Sequence, residues 1–187
     1  MKNARRSPPV GRRLAAFGLD YLVVLGYLIV LGGVGLALTL GPASEDWARL
    51  VASPLRMDLV AFCTTVLPVG AYFSLFESSR RGATLGKRRM RLRVVRLGGG
   101  RLSLWRAVLR AAAKLLPWQL AHTSMFHYPG WPTNPQSPPL WVTTGLALVW
   151  VLVGFYILTI IVRSDGRAPY DWIAGSAVIP QSADGVG

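Results

Sequence analysis

The sequence predicts an all-α membrane protein: a bundle of about four transmembrane helices carrying a small cytoplasmic β-hairpin. Three observations predict it. Just over half of the 187 residues (52%) are hydrophobic, with a mean hydropathy of +0.39. The chain nevertheless carries 21 Lys and Arg against 8 Asp and Glu, a formal charge of +13. Finally, apolar and charged residues are collected in separate blocks, not interleaved at the periods of 2 or 3.6 that a soluble domain shows. A disordered basic tail would lack the apolar content, whereas a bilayer demands this segregation. The length suits about one domain. The single cysteine, Cys63, excludes an intrachain disulfide framework and a zinc site built on paired cysteines.

The first apolar block runs from Leu14 to Leu40 with Asp20 as its only charge, and Tyr21 to Leu40 is uncharged throughout. Twenty helical residues span about 30 Å of hydrocarbon. The basic stretch Met1 to Arg13 before it also suits a cleaved signal peptide, but signal cores are shorter and seldom contain an aspartate, so an anchored helix is expected. The second block, Leu59 to Phe76, lies between Asp58 and Glu77, with Pro68 expected to kink it. The third, Leu140 to Val162, ends at Arg163 and has Trp141 near one end, where interfacial aromatics sit.

Leu104 to Ala121 is ambiguous. At 100° per residue Arg106, Arg110 and Lys114 share one face, opposite Leu104, Trp105, Val108, Leu109, Ala112, Leu115 and Leu116. This suits either an amphipathic helix lying on the cytoplasmic leaflet or a fourth crossing with its cations inside the bundle. Charge counting favours the crossing. Met1 to Arg13 holds five Lys or Arg and Glu77 to Lys114 holds twelve, whereas the proline-rich loop His122 to Pro139 holds none, and Arg163 and Arg167 follow the third block. The positive-inside rule then makes the N-terminus and C-terminus cytoplasmic and the loop external. Arg106 and Arg110, in the first turns, can snorkel towards the cytoplasm.

Residues 80 to 103 are too polar to be embedded. Met90 to Leu97 alternates basic with apolar residues, Gly98, Gly99 and Gly100 allow a turn, and Arg101-Leu102 begins a return strand, so a hairpin is expected there. A disordered tail is expected from Pro180.

Several motifs carry ordinary readings. Gly82-Ala-Thr-Leu-Gly86-Lys87-Arg88 has one residue too few between its glycines for a phosphate loop and lacks the hydroxyl residue after the lysine. The polybasic stretch is explained by attraction to anionic lipid headgroups, about 1 kcal/mol per charge, before nucleic acid need be invoked. His122 and His127 are two of the three or four ligands that a metal site needs, so no metal or cofactor is expected. Cys63 reads as a packed small residue, and Gly33 with Ala37 forms a small-xxx-small pair of little specificity. Asp20 stands apart. An acid about two turns into a span is functional by default, unless it is a buried ion pair that fixes helix register. Arg13 lies seven residues earlier on nearly the same face, and Arg106, Arg110 or Lys114 are alternative partners.

The spacing Arg13-x-x-Ala16-x-x-x-Asp20 resembles the opening of the RDD family, bacterial membrane proteins named for one arginine and two aspartates. Gly82-Ala83-Thr84-Leu85-Gly86-Lys87-Arg88 with Leu92-Arg93-Val94-Val95 is similar to that family's G-x-T-x-G-K-R and short strand. Gly99-Gly100-Arg101, Arg106 and Arg110 follow its glycine turn and paired arginines. Tyr170-Asp171-Trp172-Ile173-Ala174-Gly175-Ser176-Ala177-Val178-Ile179 looks like its closing motif, with Tyr170 and Ser176 as departures. The resemblance covers about residues 10 to 180 and implies that Arg13, Asp20 and Asp171 are the name-giving trio, in a bacterial inner-membrane protein suspected of transport. Asp171 is expected to meet the Arg80 to Arg93 cluster.

Two functions follow. The first is a small transporter or ion exchanger, suited to an oligomer, with Asp20 as proton or cation acceptor, Arg13 modulating it, and Arg106, Arg110, Lys114, Lys87 and Arg88 at the cytoplasmic mouth or binding lipid. The second is a non-catalytic partner whose basic hairpin docks anionic lipid or another membrane protein. No nucleophile–base pair or metal cluster is present in the sequence to suggest an enzyme.

Overall fold

The structure, a computed structural model, describes residues 8–131 and 134–181. Helix α1 (Val10–Leu40) is followed by a short α2 (Ser44–Leu50). Next, α3 (Pro54–Ala61), a π turn (Phe62–Val66) and α4 (Leu67–Ser78) form one continuous helix, Pro54–Ser78. The single-turn α5 (Leu85–Arg89), strand β1 (Leu92–Arg96), α6 (Leu104–Phe126) and α7 (Leu140–Val162) come next, and α8 (Pro169–Ile173) and strand β2 (Ser176–Pro180) complete it. Among the described residues three helices are long and apolar enough to cross a membrane, namely α1, Pro54–Ser78 and α7. Many of their large apolar residues point outwards, with Ile29, Val30, Trp150 and Val162 each at least 67% exposed. Continuous apolar exposure of this kind is what lipid covers.

Both prolines inside the long helices have an identifiable compensation. Proline removes an N–H, leaving the carbonyl four residues earlier without its helical donor. For Pro68 that carbonyl belongs to Thr64, and the Tyr27 hydroxyl donates to it beside the π turn. For Pro117, which lies inside α6, the freed carbonyl is that of Ala113, and the Tyr156 hydroxyl donates to it at 2.7 Å. α6 thus runs 23 residues without a break.

The expected hairpin over residues 80–103 is not formed. β1 lies where the alternation placed a strand, and Gly99 and Gly100 turn the chain with φ of 94° and 80°. However, α6 begins at Leu104, leaving only Arg101–Ser103 for a return strand. Instead β1 pairs antiparallel with β2, Leu92 opposite Pro180, Val94 opposite Val178 and Arg96 opposite Ser176. Val178 of β2 joins Ala16, Leu92, Val94, Leu102 and Ala107 in a buried core. The tail expected to be disordered from Pro180 therefore begins with a strand residue, and 182–187 lie outside the described residues.

The described residues form two compact units. One contains those up to Val23, Gly70–Lys114 and those from Gly154 onwards; the other contains Val24–Val69 and Leu115–Val153. The core and the sheet belong to the first. In the second, Asp58 accepts hydrogen bonds from Gln119 at 3.0 Å and Thr123 at 2.9 Å, and His122 lies between the rings of Trp118 and Phe126.

Candidate functional site: a buried charge cluster

The cluster begins on α1, where only Ala16 and Asp20 are buried. Gly86 of α5 packs on this pair so closely that a Cβ there would lie 2.2 Å from the Ala16 carbonyl oxygen and 2.9 Å from Asp20 Oδ1. That approach delivers the Gly86 amide to Asp20 Oδ1 at 2.8 Å. Thr84 Oγ1 donates to Oδ2 at 2.6 Å, the Tyr72 hydroxyl donates to Oδ1 at 2.8 Å, and Lys87 Nζ lies 3.7 Å from Oδ2. Gly82 starts the loop at φ +60°, where a Cβ would meet the Val94 carbonyl oxygen at 2.8 Å. The segment that resembled a phosphate loop therefore does bind an anion through an amide, a hydroxyl and an ammonium, and the anion is the protein's own carboxylate.

From Asp20 the charges alternate. Lys87 Nζ donates to Glu77 Oε1 at 2.9 Å, and Arg110 Nη1 donates to Glu77 Oε2 at 2.6 Å. Arg110 then reaches Asp171 through Nε at 2.9 Å and Nη2 at 2.8 Å, while Arg13 Nη2 approaches Asp171 at 3.2 Å. Glu77 and Asp171 have no exposed surface, and Arg110 is only 2% exposed. Lys114 Nζ lies 3.8 Å from Glu77 Oε1 and 3.7 Å above the Phe73 ring.

Asp171 is positioned by its own short helix. Pro169 starts α8, and the carboxylate reaches back to the Ala168 amide at 3.1 Å, while Ser176 Oγ donates to it at 3.2 Å. Burial alone would raise the pKa of this carboxyl, but the charges of Arg110 and Arg13 outweigh burial and hold it below the usual range. Burial, with Asp171 adjacent, pushes the Tyr170 hydroxyl up to about 12, and its ring lies 4.9 Å from the Arg110 guanidinium.

The structure therefore brings Arg13, Asp20, Asp171, Arg110, Lys114 and Lys87 into one cluster. Asp171 meets Arg13 and Arg110, in place of the Arg80 to Arg93 stretch that the sequence suggested. Asp20 pairs with Lys87, which was not among the expected partners. Lys87, Arg110 and Lys114 are turned into the cluster. Arg88 lies outside it, half-buried over the Phe76 ring, and Arg106 donates to the Ala174 carbonyl at 3.4 Å. Glu77, the central acid, is not among the site residues that the sequence suggests, where it marks the end of an apolar block. Its signal was that it is the one acid among twelve cations between Glu77 and Lys114.

Three long apolar helices and a charge cluster assembled from residues 13 to 171 define a multi-span membrane protein with an internal ionic site. The chain belongs to the RDD family, whose model matches residues 7–175. No curated protein and no solved structure matches it.

Proposed function

We propose that this protein is a small ion exchanger of a bacterial plasma membrane, crossing it four times with both termini in the cytoplasm. The observation that carries this reading is the continuous buried series Asp20, Lys87, Glu77, Arg110, Asp171 and Arg13, with neighbouring charges 2.6 to 3.7 Å apart. Apolar packing often stabilises a fold as well as a buried ion network does. Ionisable groups next to a membrane interior more often mark ion pathways. Closely spaced opposite charges allow an entering cation to displace a lysine from a carboxylate without exposing a bare charge. Asp20 and Glu77 supply the receiving oxygens. Four crossings are supported by the 23 residues of α6, about 34 Å of helix, and by the absence of Lys and Arg from His122 to Pro139.

The test is flux into proteoliposomes loaded with a pH dye, with Na⁺, K⁺ and Cl⁻ gradients imposed in turn, comparing the wild type with Asp20→Asn. Proton movement with the wild type alone is expected; silence with every ion from folded, inserted protein refutes the reading. Cysteines placed in 122–139, with Cys63 replaced, should react from outside intact cells, and labelling only after permeabilisation would remove the fourth crossing.

A second reading, docking of anionic lipid or a protein partner, is favoured by the exposed arginines Arg80, Arg81, Arg89, Arg91, Arg93 and Arg96. Under it Asp20→Asn lowers folded yield and there is no flux to lose.

A further inference from the structure

Of the 21 cationic residues in the chain, 18 are arginine and only Lys2, Lys87 and Lys114 are lysine. Two of the three lysines therefore sit in the buried cluster. Arginine keeps its proton in proteins, whereas a buried lysine can surrender one. The cluster contains four cations, Arg13, Lys87, Arg110 and Lys114, against three carboxylates, Asp20, Glu77 and Asp171, which leaves one uncompensated positive charge.

The geometry identifies the surplus cation. Lys87 donates to Glu77 at 2.9 Å and to Thr84 at 3.3 Å, so removing its proton would weaken the support of both Glu77 and Asp20. Among the described residues Lys114 has a single carboxylate within 4 Å, Glu77, and that group is already held by Lys87 and Arg110. The groups facing Lys114 are Glu77 and the Phe73 ring from α4, Lys87 from α5, Asp20 from α1, Arg110 from its own helix and the Tyr170 ring from α8, 5.6 Å away. Two of these are like charges and two are aromatic faces. A neutral Lys114 leaves three cations against three acids, and its ammonium, 3.8 Å from the nearest carboxylate oxygen, makes no hydrogen bond among the described residues that would be lost.

We propose that Lys114 is the group that carries the proton in the exchange, a step that rests on the exchanger reading above. When a monovalent alkali cation enters beside Glu77, one N–H bond of the Lys114 ammonium breaks, its electron pair stays on Nζ, and the proton passes to water. The incoming cation replaces the lost positive charge at the carboxylate oxygens, so the net charge of the cluster does not change. Departure of the cation reverses both events.

Two variants test this. Lys114→Arg keeps the charge but cannot deprotonate; Lys114→Met removes the surplus charge and leaves the acids balanced. Wild type and both variants, checked for folding by size-exclusion and thermal unfolding, are studied in two ways. In weakly buffered detergent solution, adding NaCl or KCl should release protons from the wild type and none from either variant. In proteoliposomes, proton-coupled flux should fall by about two orders of magnitude in each variant, as when a proton-transfer group is lost. Flux and proton release at wild-type levels in Lys114→Arg would overturn the inference while leaving the exchanger standing. A wild type that neither moves ions nor releases protons would overturn both.

Discussion

Glu77→Gln is the most informative single change, because Glu77 is where the two halves of the charge cluster meet. Its carboxylate receives Lys87 at 2.9 Å and Arg110 at 2.6 Å and is fully buried. Glutamine keeps the shape and one acceptor oxygen, so it can satisfy Arg110 or Lys87 but not both. Losing one charge-assisted hydrogen bond costs about 1.5–3 kcal/mol, and breaking a buried pair on one side costs about 3–5 kcal/mol. These ranges describe the same loss and are not summed, so about 3 kcal/mol is expected. The substitution also raises the excess of buried cations from one to two. Adding Lys114→Met restores the original excess, so the double variant should be more stable than Glu77→Gln alone, with a coupling energy of about 1–3 kcal/mol. Tryptophan fluorescence during denaturant unfolding in detergent measures both. A Glu77→Gln protein within about 0.5 kcal/mol of the wild type, or a double variant no better than the single one, would refute the charge argument.

Three further outcomes are expected. Tyr156→Phe should destabilise by about 1 kcal/mol by leaving the Ala113 carbonyl without a donor, and the loss should shrink in a Pro117→Ala background, where residue 117 regains its own N–H; unfolding of the four proteins in detergent checks this. Gly86→Ala should abolish folded protein in a size-exclusion profile, because the new Cβ meets the Ala16 carbonyl oxygen at 2.2 Å and backbone cannot yield as a side chain can. Asp171, held below the ordinary carboxyl range once Arg110 and Arg13 overcome burial, contributes stability that is present above its unfolded pKa, about 3.9, and is lost as pH falls through its lower folded value. Stepped-pH unfolding should therefore show the gap between wild type and Asp171→Asn narrowing in acid.

The parts of this molecule that were legible in the sequence are those set by local composition. The uncharged run Leu140 to Val162 became α7 with the same bounds because lipid-length apolarity needs no partner to be recognised. Asp20 was conspicuous as a lone acid in an apolar block. The misreadings concern partners remote in the chain. The Gly98–Gly100 turn promises a hairpin, yet the strand that pairs with β1 begins at Ser176, and nothing within Ser176–Pro180 indicates where it docks. Lys87 reads as one of a polybasic run, and only the close approach of Gly86 to Ala16 and Asp20 brings it to its carboxylates. Glu77 looked like a boundary because a charge at the end of a span usually is one.

The distance along the chain between the members of the charge cluster also orders its assembly. Glu77, Lys87 and Arg110 emerge within 34 residues of one another and can pair as soon as α6 is made. Arg13, by contrast, waits for a partner 158 residues downstream. Until α8 is synthesised and β2 closes on β1, the first arginine of the cluster has no acid and Arg110 has only one of its two. Ribosomes add about 5–20 residues per second, so for several seconds or more the nascent protein holds an incomplete charge set at the membrane. The last carboxylate to arrive thus completes the set: a chain interrupted before Asp171 keeps Arg13 without its acid and Arg110 with one of two.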